Sequence, residues 1–155
     1  MSLKILFVCL GNICRSPTAQ GVMEKLLADA GLSHAVIVDS AGTSAYHIGA
    51  KPDQRSILAA KKRGYEISGQ RARRVEFEDF NDFNLILAAD SSNLSSLLED
   101  APHEARNKIK LILDYSNCKT KDIPDPYYGG EAGFNNVLDL LEDACRNIIK
   151  QEVCS

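Results

Sequence analysis

Residues 4–10 read KILFVCL, a near-continuous apolar run rich in β-forming side chains. Such a run suits a strand buried on both faces, and strands of that kind belong to parallel sheets covered by helices. A helix start follows almost at once, with Ser16 suited to the N-cap and Pro17 to the first helical position. Ala19, Val22, Met23, Leu26, Leu27 and Ala30 then recur at helical spacing until Gly31 ends the segment. The rest of the chain repeats the alternation. Residues 35–39 (AVIVD), 84–89 (NLILAA) and 108–114 (KIKLILD) are predicted strands. Pro52-Asp53 starts a helix running to Gly64, and residues 91–100 form a short helix after the third strand. A last helix places Phe134, Val137, Leu138, Leu141, Cys145, Ile148 and Ile149 on one face. Strands alternating with helices through right-handed crossovers predict an α/β three-layer sandwich, a Rossmann-like central four-stranded parallel sheet with helices on both faces. The 155 residues are expected to form one domain, 1–155.

Charge and cysteine usage narrow the function class. Eighteen Lys and Arg against 21 Asp and Glu give a net charge of −3, which argues against a nucleic-acid partner. The longest uninterrupted apolar run covers six residues, 5–10, far short of the ~20 that a membrane helix needs. It is also too short for a signal peptide, so neither membrane nor secretion is expected. Five cysteines is an odd number in a chain large enough to fold without staples, which points to a reducing cytoplasm. Cys9-x4-Cys14 has no second ligand pair nearby, and His34, His47 and His103 are scattered, so no metal and no cofactor are expected.

In parallel sheets ligands bind at the carboxyl ends of strands where the winding direction switches, so the loop after the first strand is the place to look. It reads Cys9-Leu10-Gly11-Asn12-Ile13-Cys14-Arg15-Ser16. Gly11, with Asn12 beside it, suits the positive-φ conformations that turn successive N–H groups inward as an anion nest. The helix that follows aims its positive end at the same spot, and Arg15 adds a planar fork of donors. Leu10 to Ser16 is therefore a predicted phosphate cradle with Cys9 at its rim, in a field that favours the thiolate. An ordinary cysteine is about 3% thiolate at pH 7, so full ionisation gains at most roughly 30-fold. Phosphate monoesters need accelerations of up to ~10²¹-fold, so most of the work falls to Arg15 and the amides gripping the transferring group. Attack by Cys9 would give a cysteinyl phosphate, and Ser16 can donate its hydroxyl to the sulfur as it departs.

A phenolate leaving group needs a proton. Residues 115–133 form a long segment predicted to lack regular structure, and it holds Ile123-Pro124-Asp125-Pro126-Tyr127-Tyr128-Gly129-Gly130. Prolines on both sides restrict the backbone at Asp125, as suits a general acid, although the same residues also compose an ordinary turn.

With residues 8–17 (VCLGNICRSP) and 125–128 (DPYY) both in hand, the chain resembles a low-molecular-weight protein tyrosine phosphatase. The resemblance runs essentially end to end and includes residues 39–43 (DSAGT), Gly49-x2-Pro52-Asp53-x-Arg55 and Asp90-x2-Asn93-Leu94. It implies Cys9 as nucleophile, Arg15 as phosphate clamp and Asp125 as general acid and then base. It implies Cys14 as a thiol able to form a reversible protective disulfide with Cys9. Asn12, Ser16 and Ser40 would form the hydrogen-bond network shaping the loop, with Gln70 and Asp90 in support. Leu10, Ile13, Tyr46 and Tyr127 would be pocket walls, with His47 and Tyr128 beside them. Gln70 stands where many members have a histidine, which removes a possible imidazolium from the network.

The same fold with Cys-x5-Arg also serves arsenate reductases, which need further thiols, and no cysteine occurs here between Cys14 and Cys118. Arginine phosphatases are similar but carry Thr where this chain has Ile13, and a branched apolar side chain suits an aromatic substrate. A non-catalytic phosphotyrosine-binding module would be expected to lack Cys9, Arg15 or Asp125. The expected ligands are phosphotyrosine proteins or small aryl phosphates, with inorganic phosphate, vanadate or sulfate fitting the loop, and a monomer is expected.

Overall fold

The computed structural model describes residues 2–154, apart from the side chain of Tyr128. In chain order the elements are β1 (Leu3–Cys9), α1 (Arg15–Asp29), β2 (Val36–Gly42), α2 (Gln54–Lys62), the single turn α3 (Asp79–Asp82), β3 (Leu85–Ala88), α4 (Ser91–Asp100), β4 (Ile109–Leu111) and α5 (Glu131–Ile148). The four strands form one parallel sheet in the order β2-β1-β3-β4. The winding direction switches between β1 and β3, so the carboxyl end of β1 opens onto a crevice.

Period-two alternation in β1 builds both faces of the sheet. Ile5, Phe7 and Cys9 join the core beneath α1, α2 and α5, while Leu6 and Val8 join Phe80, Phe83 and Leu97 on the other side. Ile5, Leu6, Phe7 and Val8 have no exposed surface at all. Each such side chain contributes roughly 1.5–3 kcal/mol on burial, against about 0–1 kcal/mol for a surface ion pair, so packing fixes this architecture.

Three boundaries differ from expectation, each for a local reason. α1 begins at Arg15 with Cys14 in the cap position, because the Ser16 hydroxyl faces the Cys9 sulfur rather than capping the helix. β4 stops at Leu111 instead of continuing to 114: the Asp114 carboxylate accepts from the Leu111 N–H and the chain tightens into a 3-10 turn over Ile112–Tyr115. β2 runs on to Gly42, and its register with β1 sets Gly42 opposite Cys9. The 115–133 segment is not wholly irregular either, since Pro126–Tyr128 makes a 3-10 turn. No helix among the described residues is long and apolar enough to cross a membrane.

Candidate active site

β1 ends at Cys9 and α1 begins at Arg15, so residues 9–15 close a tight loop at the switch point. Four of its carbonyls are claimed from outside the loop. Cys9 accepts from the Thr43 N–H at 2.9 Å, Leu10 from Ser44 at 2.9 Å and Ile13 from Asp53 at 2.7 Å. The Cys14 carbonyl accepts from the Thr18 hydroxyl at 2.6 Å. In a planar trans peptide the next N–H points opposite the carbonyl. The amides of Leu10, Gly11, Cys14 and Arg15 are thereby turned away from those donors. The left-handed position is Asn12, at φ 57°, and not Gly11. Asn tolerates that region better than most residues. A Cβ on Gly11 would lie 2.9 Å from Cδ2 of His47 and would have to displace that imidazole.

Asn12 is also the hub beneath the loop. Its Nδ2 donates to Ser16 Oγ at 2.8 Å and to Ser40 Oγ at 3.0 Å, and its Oδ1 accepts from the Arg73 N–H at 3.0 Å. Ser16 Oγ lies 3.0 Å from Cys9 Sγ. Ser40 Oγ reaches Gln20 Oε1 at 2.8 Å and Gln70 Oε1 at 3.4 Å, while Gln70 Nε2 donates to the Pro17 carbonyl at 2.9 Å. Gln70 thus takes part in the network as an uncharged member.

Arg15 is 3% exposed. Its Nη1 donates to Asp90 Oδ2 at 2.7 Å and to the Ile123 carbonyl at 2.8 Å, and its Nη2 lies 3.8 Å from Asp125 Oδ2. Burial opposes the charge, but Cys9 and the Asp90 bond outweigh it and hold the guanidinium protonated. Asp90 caps α4 by accepting from the Asn93 N–H at 2.8 Å. Asp125 accepts from the Tyr127 N–H at 3.0 Å, which fixes its carboxyl over the mouth of the loop. A cavity of about 300 Å³ is lined by Cys9, Leu10, Ile13, Arg15, Tyr46 and Asp125, with His47, Tyr127 and Ser44 among the others. Its size suits a phosphorylated ring.

A thiol, a buried guanidinium and a carboxyl therefore meet in one hollow, and the amino-acid sequence matches the profile described as low molecular weight phosphotyrosine protein phosphatase over residues 4–153. The chain belongs to this family. The human low molecular weight phosphotyrosine protein phosphatase is 41% identical over 150 residues, covering 96% of this chain and 94% of its own length. A Synechocystis sp. relative, provisionally named in the same class, is 50% identical over 149 residues, 95% of this chain and 94% of that one. The crystal structure of an Entamoeba histolytica protein tyrosine phosphatase with Hepes in its active site aligns with a TM-score of 0.94 at 46% identity, covering 97% of this chain and 96% of that one.

In this member of the phosphatase family, the fold brings many of the expected residues to one cavity and sets others apart from it. Cys9, Arg15 and Asp125 share the cavity, as do Leu10, Gly11, Ile13, Cys14, Tyr46, His47 and Tyr127. Tyr46 is 86% exposed, so it stands at the rim and not as a packed wall. The Tyr128 side chain lies outside the described residues. Cys14 is buried against Ser56, and burial pushes its thiol up to about 12. Residues that sequence reasoning missed are Gln20, Ser44, Ser56 and the Arg73 node, whose guanidinium joins Asp39 and Asp79 beneath the loop. Asp79 lies only six residues from Arg73, whereas Asp39 comes from 34 residues away, so only the fold brings the two carboxylates to one guanidinium.

Proposed function

We propose that this chain, a phosphatase of the low molecular weight class, hydrolyses phosphotyrosine in proteins and small aryl phosphates through a cysteinyl phosphate on Cys9. The observation that carries the reading is the convergence of Cys9, the 3% exposed Arg15 and Asp125 on one cavity. The Cys9 thiolate attacks phosphorus in line with the leaving oxygen. An S–P bond forms, the P–O bond to the phenol breaks, and the Asp125 carboxyl gives its proton to the departing oxygen. Arg15 and the loop amides take the charge spread over the three equatorial oxygens, a job that fixed dipoles do without reorganising. In the second step the Asp125 carboxylate takes a proton from water, the water oxygen bonds to phosphorus, and the S–P bond breaks. Ser16 donates to the sulfur as it regains its negative charge. Inorganic phosphate, vanadate and sulfate fit the same cradle.

Ile13 and Tyr127 line the cavity with Tyr46 at its rim, and these apolar faces favour a flat ring over a serine stem. On oxidation of Cys9 to a sulfenic acid by a peroxide, the Cys14 thiol is the partner that displaces water to close a disulfide. The enzyme works as a monomer in the cytoplasm. Side-by-side kcat/KM values on phosphotyrosine, phosphoarginine and phosphoserine peptides test the substrate class. Phosphotyrosine is expected to be fastest, and a faster phosphoarginine would replace this reading with the sister activity.

A further inference from the structure

We propose that Arg55 is the positioning residue for Asp125, tying the loop that bears the acid to the platform that bears the nucleophile. The inference rests on the assignment of Asp125 as general acid given above.

Arg55 lies in the first turn of α2. Its backbone N–H and its Nε both donate to Asp53 Oδ1, at 2.8 and 3.0 Å, and its Nη2 donates to Asp53 Oδ2 at 3.0 Å. That two-point contact sets the plane of the guanidinium, which an ammonium could not reproduce. Asp53 is itself joined to the phosphate loop, because its N–H donates to the Ile13 carbonyl at 2.7 Å. On its other side, the Arg55 guanidinium carbon stands 5.3 Å from the Tyr127 ring centroid and 4.9 Å from that of Phe134. A guanidinium over an aromatic face is held by the ring's negative quadrupole. Phe134 is buried in α5, so one of the two rings is part of the core. The other, Tyr127, passes the constraint on, since its N–H donates to Asp125 Oδ1 at 3.0 Å.

A continuous path therefore runs from Ile13 through Asp53, Arg55 and Tyr127 to Asp125. The acid needs such a path. Its side chain is 45% exposed, and the 3.8 Å to Arg15 Nη2 is too long for a hydrogen bond. Two glycines, Gly129 and Gly130, follow it in sequence. Arg55 is itself half exposed, and exposed ion pairs contribute little to stability. Its removal should therefore appear in the proton-transfer step and leave the fold in place, because reaction rates are far more sensitive to small misplacements than stability is.

The test compares kcat/KM on phenyl phosphate, whose leaving group needs the acid, with p-nitrophenyl phosphate, whose leaving group scarcely does. Arg55→Met should lose about tenfold on the former and less than about twofold on the latter. Vanadate inhibition should be unchanged, and adding Arg55→Met to Asp125→Ala should cause no further loss. Arg55→Lys, which keeps the charge and loses the fork, should fall between. Equal losses on both esters, or additive losses in the double variant, overturn the proposal. If Arg55→Met fails to fold, the ester ratio of Arg55→Lys decides, and an unchanged ratio overturns it. If Asp125→Ala alone slows both esters equally, the acid assignment and this proposal fall together, an outcome distinct from failure at Arg55 alone.

Discussion

Ser16 Oγ accepts from Asn12 Nδ2 at 2.8 Å and lies 3.0 Å from Cys9 Sγ, close enough to turn its single proton to that sulfur when the sulfur is an anion. The competing acceptor, the Ala41 carbonyl, is farther away at 3.4 Å. In the proposed mechanism such a hydroxyl matters most when sulfur regains its negative charge, as the cysteinyl phosphate would break down. Ser16→Ala should therefore lower kcat by about 10–100-fold, the equivalent of a charged hydrogen bond of about 1.5–3 kcal/mol. The first step should suffer less. Rapid-quench measurements with p-nitrophenyl phosphate should then show a burst of nitrophenol close to one per enzyme. Slowing without a burst would remove Ser16 from the second step.

Replacing the proposed nucleophile should separate binding from chemistry. Cys9→Ser should abolish turnover while phosphate or vanadate still binds, because Arg15 and the loop amides remain in place. Calorimetric titration with phosphate checks the binding. Residual turnover at more than about one part in a thousand would point to another nucleophile.

Alkaline pH should loosen the fold through its buried thiols. Burial pushes Cys14 from an ordinary 9.0 up to about 12, partly offset by its bond with Ser56, and burial also pushes up Cys145. An unfolded chain ionises both near 9, so above that pH it binds fewer protons than the native state. Stability is then full below about pH 9 and declines as pH rises toward about 12, by up to ~1.4 kcal/mol per pH unit per thiol. Tyr65, raised to about 12 by burial and its bond to Glu142, adds to the decline only above an ordinary 10.0. Urea denaturation between about pH 8 and 10 isolates the thiols. The slope for Cys145→Ala should be shallower by about one proton, and an unchanged slope would show that Cys145 ionises normally.

Gly42 should tolerate no side chain. A Cβ there would fall 2.7 Å from the Leu10 carbonyl oxygen and 3.2 Å from the Asn12 nitrogen, both backbone atoms of the phosphate loop. Gly42→Ala must push the loop aside, costing about 1–3 kcal/mol of stability and at least about tenfold in phosphate affinity. Gly21→Ala is the contrasting case, since its Cβ would meet the Ile67 side chain and not the loop. Gly21→Ala should lower the melting temperature with phosphate affinity intact. Equal phosphate binding in wild type and Gly42→Ala would refute the steric account.

The architecture was legible because β1 is apolar on both faces and α5 is apolar on one, patterns that report burial directly. The loop was legible because Cys9, Gly11, Asn12, Arg15 and Ser16 fall within eight consecutive residues. Its supports were not. Gln20 looks like any polar residue on a helix until the fold brings it to Ser40, and Asp53 looks like a helix cap until its amide meets Ile13. Ser16 misled for the opposite reason: a local rule assigned it to the cap, and a tertiary contact with Cys9 claimed it instead.

The carbonyls of Cys9, Leu10 and Ile13 are held by Thr43, Ser44 and Asp53, which come from two stretches more than thirty residues downstream. The cradle is thus a cooperative product of the whole chain. An excised peptide carrying residues 9–16 would be an ordinary flexible octamer without affinity for oxyanions, and transplanting those eight letters onto another scaffold would transfer no activity. Catalysis and global unfolding should accordingly share one midpoint, which makes hydrolysis of a chromogenic ester a sensitive gauge of how much native protein a sample contains.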